Sequence, residues 1–363
     1  MAARKHRTRK SVLVFAALMA CCLGASAAEI ITIAGIGGPG TKDGRALEAQ
    51  LNNPFGVVRG PDGNLWFCEY DGHTVRRLNA DGTIVTIVGN GTAGYSGDGG
   101  PALEASLSKP HEIRFDSTGR LYIADMANHV IRRVDLKSGI ISTVAGTGVA
   151  GFSGDRGSAK SAQLNQPHSI QFGPDGRLFI CDIRNNRVRA VDMESGVIET
   201  YAGNGERGPT PNGHAFANVP LNGPRTLDFD AKGNLWLALR EGNQVFVLNL
   251  NAGTIHHVAG TGEKGFTGNS GSAKHATLSG PKGIAVAPNG NVYLADTESH
   301  SIRMIDMETG NIELIAGTGA KHDGPDGDPL NCGLARPHGV FVDADGSIFI
   351  GDSENHRIRV VRP

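Results

Sequence analysis

The sequence contains few cysteines, and their number limits what they can do. Five occur in 363 residues, and two of them, Cys21 and Cys22, lie in a short N-terminal apolar run. The other three cannot all pair with one another within one molecule. Cys68 and Cys181 occupy equivalent places in apolar strand-like runs, WFCE and FICD. We therefore expect both to be buried and to act as small hydrophobic side chains.

Long helical patterns are also missing. No stretch of the chain combines the length of a core helix with its 3.6-residue periodicity. Glycine-rich strings such as GNGTAG are therefore not followed by a helix, which removes the usual argument for nucleotide binding. No nucleophile can be identified by spacing. Any chemistry has to come from other side chains.

Acidic residues are absent from the first 28 positions, whereas five basic residues lie within the first ten. An apolar run, VLVFAALMACCLG, follows, and then the small residues ASAA. This order of segments is typical of a secretory signal peptide and predicts one over residues 1–28, cleaved after Ala27 or Ala28. The run is too short for a comfortable membrane span. We therefore expect an exported protein, periplasmic or extracellular, with no membrane span.

Removal of that segment changes the charge of the chain. It leaves 30 basic and 36 acidic residues, a net charge near −6. An acidic exported protein is a poor candidate for binding nucleic acid, whose phosphates attract basic surfaces. We expect no nucleic acid among its partners, and we expect a monomer.

Six prolines mark a repeat of 56 or 57 residues, which is the main feature of the sequence. They are Pro54, Pro110, Pro167, Pro224, Pro281 and Pro337. Behind each come short runs that alternate between apolar and polar residues, separated by turns rich in Gly, Asn and Asp. Four such runs predict four strands in an antiparallel meander. Six units predict an all-β fold, a six-bladed β-propeller whose blades start near these prolines.

The ends of the chain predict how the ring closes. The sixth unit has three strand-like runs, and its fourth is missing before Pro363. Residues 29–35, EIITIAG, match the fourth runs of other units, such as IISTVAG and TIHHVAG. We therefore predict that the N-terminal strand completes the last blade and that residues 29–363 form one domain.

The repeats resemble a known family. ADMANHVIRRVD, ADTESHSIRMID and GDSENHRIRVV are similar to NHL repeats, and SGDGGPALEASL is similar to the inter-blade loops of bacterial exported NHL proteins. The resemblance covers residues 29–363 and implies the propeller fold. It implies little about activity, because function resides in sites that a fold carries. Blade four departs from the pattern, with Leu239 and then Arg240 where the other blades have Asp or Glu.

The residue after each proline should lie at the mouth of the central channel, where the innermost strand begins. Long inter-blade loops lie on the same face, and long loops on a rigid scaffold often bind ligands. In chain order these residues are Phe55, His111, His168, Arg225, Lys282 and His338. Five of the six are cationic or can become so, and a partly desolvated cationic cluster needs a partner. The partner would be an anion, a metal on neutral imidazoles, or carboxylates such as Glu112.

The first hypothesis is that the mouth binds a small anionic molecule, a glycan or a protein partner. Its binding residues would be the six named above together with Glu112 and Arg240. Four further histidines fall in the turns before the third strands, and we expect these to be structural. They are His73, His129, His300 and His356.

The alternative is a metal-dependent lyase or lactone hydrolase. Peptidyl-hydroxyglycine amidating lyases are similar propellers that bind zinc through histidines of Pro-His pairs, and gluconolactonase-type propellers bind metal at the comparable place. The resemblance implies His111, His168 and His338 as ligands of zinc or calcium, which would polarise a substrate oxygen or activate water. With Arg225, these histidines are also the candidate catalytic residues. Zinc found by elemental analysis, and lost on His168→Ala, would favour this alternative.

Overall fold

A computed structural model of the chain describes Met1 and residues 28–363, so the predicted signal peptide lies almost entirely outside the described residues. The described part forms six antiparallel sheets, which are the six blades of a propeller, as predicted. The innermost strand of each blade packs against that of the next, and the sixth packs against the first. Among these residues no helix has the length and apolar character needed to cross a bilayer.

Each blade is built from four main strands. Blade one contains β3 (Pro54–Arg59), β4 (Leu65–Glu69), β5 (Thr74–Leu78) and β6 (Thr83–Val88). Blade two contains β7 (Pro110–Phe115), β8 (Leu121–Asp125), β9 (Val130–Asp135) and β10 (Ile140–Ala145). Blade three contains β12 (Pro167–Phe172), β13 (Leu178–Asp182), β14 (Arg187–Val191) and β15 (Val197–Ala202).

The other three blades repeat this arrangement. Blade four contains β16 (Pro224–Phe229), β17 (Leu235–Leu239), β18 (Gln244–Asn249) and β19 (Thr254–Ala259). Blade five contains β21 (Pro281–Val286), β22 (Val292–Asp296), β23 (Ser301–Ile305) and β24 (Asn311–Ala316). Blade six contains β25 (Gly339–Val342), β26 (Ile348–Asp352), β27 (Arg357–Arg362) and β1 (Glu29–Ala34), so its first strand begins two residues after Pro337.

Three blades carry a short fifth strand from the inter-blade loop, which the repeat pattern did not predict. These strands are β2 (Gly44–Arg45), β11 (Gly157–Ser158) and β20 (Gly271–Ser272). Single 3-10 turns occur at Met126–Asn128, Ala159–Ser161, Ile183–Asn185, Phe216–Asn218, Ala273–His275, Thr297–Ser299 and Ser353–Asn355. The fifth strands cover part of the outer edge of their blades, which would otherwise expose unpaired backbone groups.

The N-terminal strand closes the ring, as predicted. Strand β1 pairs antiparallel with β27, placing Glu29 opposite Arg362 and Ala34 opposite Ile358. Ile30 is fully buried in the apolar cluster between blades five and six. Its backbone also exchanges two hydrogen bonds with Gly327 in the preceding loop, at 2.8 and 2.9 Å. The two ends of the propeller are thus held in one sheet.

We expect Ile30→Ala to lower the free energy of unfolding by about 2–5 kcal/mol, because it removes buried methyl groups from a packed cluster. The exposed neighbour provides the control, and Glu29→Ala should change stability by less than about 0.5 kcal/mol. Urea unfolding followed by tryptophan fluorescence measures both. Equal effects of the two substitutions would contradict the packing of β1 in blade six.

Five of the six blades share a fully buried ion pair. The carboxylate ends the second strand, and the arginine lies seven residues later on the third. The pairs are Glu69–Arg76, Asp125–Arg132, Asp182–Arg189, Asp296–Arg303 and Asp352–Arg359. Each carboxylate also accepts a backbone N–H from the loop entering its blade; Asp125, for example, accepts that of Ser108 at 2.7 Å. The pairs therefore fasten the inter-blade loops to the sheets.

Blade four has lost both members of this pair. Leu239 replaces the carboxylate and Phe246 replaces the arginine, and both side chains are fully buried. They join the apolar cluster between blades three and four. The sequence pattern showed the loss of the carboxylate. The matching loss of the arginine becomes clear only in the structure, where Phe246 is buried in its place. A hydrophobic pair thus fills the space of an ion pair.

Candidate functional site

Local β-bulges direct side chains into the mouth of the channel. In blades two, four and five, the register between the first two strands shifts directly after the proline. The residue after the proline is left without a partner on the next strand, and such a residue bends the strand and re-aims its side chain. His111, Arg225 and Lys282 hold these positions. In blade two this geometry is why the Pro-His pair places an imidazole in the channel.

The structure brings the six predicted residues together in what we call the mouth ring. Its members are Phe55, His111, His168, Arg225, Lys282 and His338, and each is less than a tenth exposed. The imidazole of His111 lies 4.5 Å from that of His168 and 6.3 Å from that of His338, between centroids. Phe55 stacks on His338 at 3.9 Å and meets His111 edge-on at 4.9 Å. The predicted convergence of these side chains is thus present.

The three ring histidines are neutral. Burial, and after it the charge of Arg225, lowers the pKa of His111 and of His168 well below the usual value. For His338 the causes are burial, then Lys282, then Arg225. Each Nδ1 lies 2.7–2.9 Å from a backbone carbonyl oxygen, which can only accept, so each Nδ1 carries the proton. The opposite nitrogen, Nε2, is therefore an acceptor in all three rings.

Arg225 is the exceptional cation of the ring. Its Nη2 donates to Nε2 of His111 at 2.6 Å. Its Nε is buried without a hydrogen-bond partner, and among residues 28–363 no carboxylate forms an ion pair with it. Burial, and then the neighbouring Arg240, lowers the pKa of Arg225 to about 9. A buried guanidinium whose hydrogen-bond partner is a neutral imidazole is an incomplete arrangement.

A second tier of side chains lies above the mouth ring, and sequence analysis missed most of it. Its members follow the ring residues by fifteen or sixteen positions, in the turn between the second and third strands. Tyr70, Met126, Arg184, Arg240 and Glu354 of this tier line one cavity with every member of the mouth ring except His111. The constant spacing is a signal in the sequence that could have revealed them.

Charge pairing divides this tier into two halves. On blades five and six, Glu298 binds Lys282 at 2.6 Å and Arg336 at 2.7 Å, and Arg336 also binds Glu354 at 2.7 Å. Burial opposes ionisation of Glu298, but its hydrogen bonds from Arg336 and Lys282 outweigh this and lower its pKa to about 2. The cations of this half are thus compensated.

In the other half, two of the three cations lack carboxylate partners among the described residues. On blade three, Arg184 donates only to the side-chain amide oxygen of Gln166, at 3.0 Å. On blade two, Lys109 lies over the ring of Tyr70, 4.9 Å from its centroid. Arg240, which lines the same cavity, pairs with Glu241 at 2.8 Å. Uncompensated positive charge is therefore concentrated on blades two to four, with Arg225 at its centre.

The space enclosed by both tiers is a polar cavity of about 330 Å³. Below the mouth ring the channel narrows to a void of about 10 Å³, lined in part by Glu112 and Thr226. Glu112 forms its ion pair with Arg114 and not with His111, and burial raises its pKa. Deeper still, Gln171 donates to Asp228 at 2.9 Å across the channel. The cavity is a blind pocket of small-molecule size.

The residues as placed do not fit a divalent metal. Among residues 28–363, no group of three or more His, Cys, Asp or Glu side chains is arranged to hold a metal ion. The one free lone pair of His111, on Nε2, accepts from Arg225, so a guanidinium lies where a metal would have to bind. The metal set His111, His168 and His338 stays a prediction that elemental analysis tests, and no step of the function proposed below depends on it.

The four turn histidines have structural roles, as expected. In each, Nδ1 accepts a backbone N–H from the loop that enters the next blade; His129, for example, accepts from Gln166 at 3.0 Å and His300 from Arg336 at 3.1 Å. His73 and His356 do the same for Lys109 and Asn53. These residues therefore tie neighbouring blades together.

The fold and the mouth together define a six-bladed β-propeller with a basic pocket at one end of its channel. A family model of the teneurin NHL domain matches residues 91–150 and 248–332, and a model of the NHL repeat matches residues 334–361. Residues 334–361 are thus an NHL repeat, and the chain folds as a β-propeller similar to NHL-repeat proteins.

Two proteins of similar sequence are much longer than this chain. NHL repeat-containing protein 2 of Gallus gallus is 29% identical over 316 residues, which cover 77% of this chain and 42% of that protein. The chloroplastic protein SUPPRESSOR OF QUENCHING 1 of Arabidopsis thaliana is 29% identical over 293 residues, which cover 77% of this chain and 27% of that protein. The chain thus spans less than half the length of these relatives.

Solved structures show the same fold at low sequence identity. An auxiliary nutrient binding protein from Bacteroides thetaiotaomicron has a TM-score of 0.68 and 16% identity, covering 92% of this chain and 76% of its own. A gluconolactonase from Xanthomonas campestris is more distant, with a TM-score of 0.59 and 13% identity, covering 92% and 89%. At these identities the likeness concerns the fold alone.

Proposed function

We propose that the chain is an exported ligand-binding propeller whose basic mouth takes up a small anionic molecule. The observation that carries the proposal is Arg225, which is 8% exposed and has no carboxylate partner among residues 28–363. A buried charge without an opposite charge is strongly unfavourable and is rarely retained without a use. The anion of a ligand would supply the missing partner and would accept hydrogen bonds from the guanidinium.

The shape and charge of the pocket support a small ligand. A volume of about 330 Å³ lies at the lower end of the range of small-molecule sites. It is too small for a folded protein partner, and because it is blind it would enclose no more than one end of a glycan. The similar fold of an auxiliary nutrient binding protein agrees with a binding role. Enclosure in a low-dielectric pocket would strengthen the attraction between anion and guanidinium.

Isothermal titration calorimetry of the purified protein with citrate, malate and inorganic phosphate tests the proposal. We expect at least one of these anions to bind with one site per chain and to bind more weakly as salt is added. Spermidine, a cation, serves as the control and should not bind at the mouth. If none of the three anions bound at millimolar concentration, the proposal would be wrong.

The affinity for an anion should fall as the pH rises from 6 to 8. Burial, and then Arg225, lowers the pKa of Lys282 to about 7, although Glu298 opposes the shift. Below that pH Lys282 is charged and attracts the anion; above it the charge is lost, and affinity falls on the order of tenfold. The ring histidines stay neutral in this range, because burial keeps their pKa values well below 6.5.

Two variants isolate the contribution of Lys282. Lys282→Met should bind weakly at both pH values, and Lys282→Arg should bind tightly at both, since a guanidinium keeps its charge more readily. If the affinity of the wild type changed as little between pH 6 and pH 8 as that of Lys282→Arg, Lys282 would not titrate in this range.

A further inference from the structure

Two imidazole nitrogens in the pocket have no hydrogen-bond partner among the residues that the structure describes, and both can only accept a hydrogen bond. His168 and His338 donate from Nδ1 to the carbonyls of Gln166 and Arg336, at 2.7 and 2.8 Å. A neutral imidazole that is protonated on Nδ1 accepts at Nε2. Within residues 28–363 neither Nε2 has a hydrogen-bond partner, and both side chains line the cavity. The pocket therefore offers two unused acceptors beside its cations.

The surrounding charges keep these acceptors from becoming donors. Arg225, Arg240 and Arg184 act on His168, whereas Lys282, Arg225 and Arg336 act on His338. Protonation of either imidazole would add one more cation to a buried cationic cluster. Arg225, His168 and His338 all line the same cavity, so an anion held there by Arg225 faces both rings.

A simple carboxylate satisfies only half of this pocket. Its oxygens accept hydrogen bonds from Arg225, but they cannot donate to the Nε2 atoms of His168 and His338. A ligand that satisfies both needs a hydrogen-bond donor close to its anionic group. An ammonium donor would be repelled by the guanidinium of Arg225 and by Arg184, which lacks a carboxylate partner in the described chain. A hydroxyl carries the donor without the charge.

We infer that the pocket selects a small hydroxycarboxylate, an acid with at least one hydroxyl group close to its carboxylate. This inference rests on the proposed function and adds its specificity. The carboxylate binds Arg225, and the hydroxyl donates to Nε2 of His168 or of His338. A hydroxyl-binding site discriminates strongly against the analogue that lacks the hydroxyl, because its buried polar group is then left unpaired.

Matched acids that differ by a single hydroxyl test the inference in the wild-type protein. The probes are malate against succinate, lactate against propionate, and citrate against tricarballylate, each titrated calorimetrically at pH 7. We expect the hydroxylated member of at least one pair to bind about tenfold more tightly, as one hydrogen bond to a buried acceptor provides. The comparison needs no variant, so no folding defect can obscure it.

Variants then test which residues cause the preference for the hydroxylated acid. His168→Phe and His338→Phe should together remove the preference for malate over succinate, while succinate binding changes by less than about threefold. His256→Phe is the control, because His256 is exposed and lies on the outer strand of blade four. The preference for malate should survive in that variant.

The outcomes separate this inference from the proposed function. Equal binding of the two members of every pair, lost in Arg225→Met, would overturn the hydroxycarboxylate specificity and leave the anion site standing. A preference that persists in the double variant His168→Phe/His338→Phe would also overturn it. If none of the six acids bound but inorganic phosphate did, the inference would be overturned and the anion site would stand. If phosphate failed as well, both would be overturned.

Discussion

Arg225→Met should abolish anion binding and, at the same time, make the protein more stable. Loss of a buried, charged hydrogen-bond partner costs a bound anion about 2–5 kcal/mol, which corresponds to at least a 30-fold weaker affinity. Without ligand, however, the guanidinium is a buried charge whose only side-chain hydrogen-bond partner in the described part of the chain is the neutral ring of His111. Its replacement by an apolar side chain of similar length should raise the free energy of unfolding by about 1 kcal/mol or more.

The pH dependence of that stabilisation has a defined sign. Burial lowers the pKa of Arg225 to about 9 in the folded protein, so the unfolded chain holds this proton more tightly. The cost of the buried charge is fully present below pH 9 and decreases as the pH rises above it. The free energy of unfolding of Arg225→Met should therefore exceed that of the wild type by more at pH 7 than at pH 10.

Calorimetry with malate measures the affinity of each variant for the anion. Urea unfolding measures its stability. Arg207→Met is the control: Arg207 is an exposed cation on an inter-blade loop, and its loss should leave both stability and affinity almost unchanged. A destabilised Arg225→Met variant would show that the guanidinium is a structural member of the fold. That result would remove the main reason for assigning a ligand to it.

The second large effect concerns an arginine that does have a partner. Arg303→Met should destabilise the protein by about 3–5 kcal/mol, because it leaves Asp296 buried without its ion pair. Arg303 also donates to the carbonyls of Thr277 and Thr267, at 2.7 and 2.8 Å, and these hydrogen bonds would be lost. The same substitution should thus raise the free energy of unfolding at Arg225 and lower it at Arg303, although both arginines are buried.

Blade four suggests a rescue of the second variant. At the equivalent positions it carries Leu239 and Phe246, both fully buried. The double variant Asp296→Leu/Arg303→Phe should therefore recover at least half of the stability lost in Arg303→Met, since a hydrophobic pair can replace a buried ion pair. Urea unfolding of the wild type and these variants measures the recovery. A double variant no more stable than Arg303→Met would show that the loops require the ion pair.

The repeat made most of the fold predictable from the sequence. Prolines at 56- or 57-residue spacing, four alternating runs per unit and the strand-like N-terminal segment together specify the six blades and their closure. The short fifth strands were not predictable, because two-residue pairs such as Gly157–Ser158 carry no alternation. Their pairing depends on where the inter-blade loop happens to cross the outer edge.

The candidate site was only partly predictable. The position of His111 and of the other ring residues followed from the repeat, since symmetry places equivalent positions around one axis. The second tier, such as Arg184 and Glu354, follows from the same spacing and could have been found. Which cations are paired could not, because Lys282 and Arg225 are equivalent in sequence position and differ only in the carboxylates within their reach.

A crystal structure of the protein grown with malate tests the central claim most directly. The account predicts one malate in the blind pocket, with a carboxylate oxygen within hydrogen-bond distance of the guanidinium of Arg225 and its hydroxyl beside Nε2 of His168 or His338. Malate elsewhere, with Arg225 paired to a carboxylate of the protein, would contradict it.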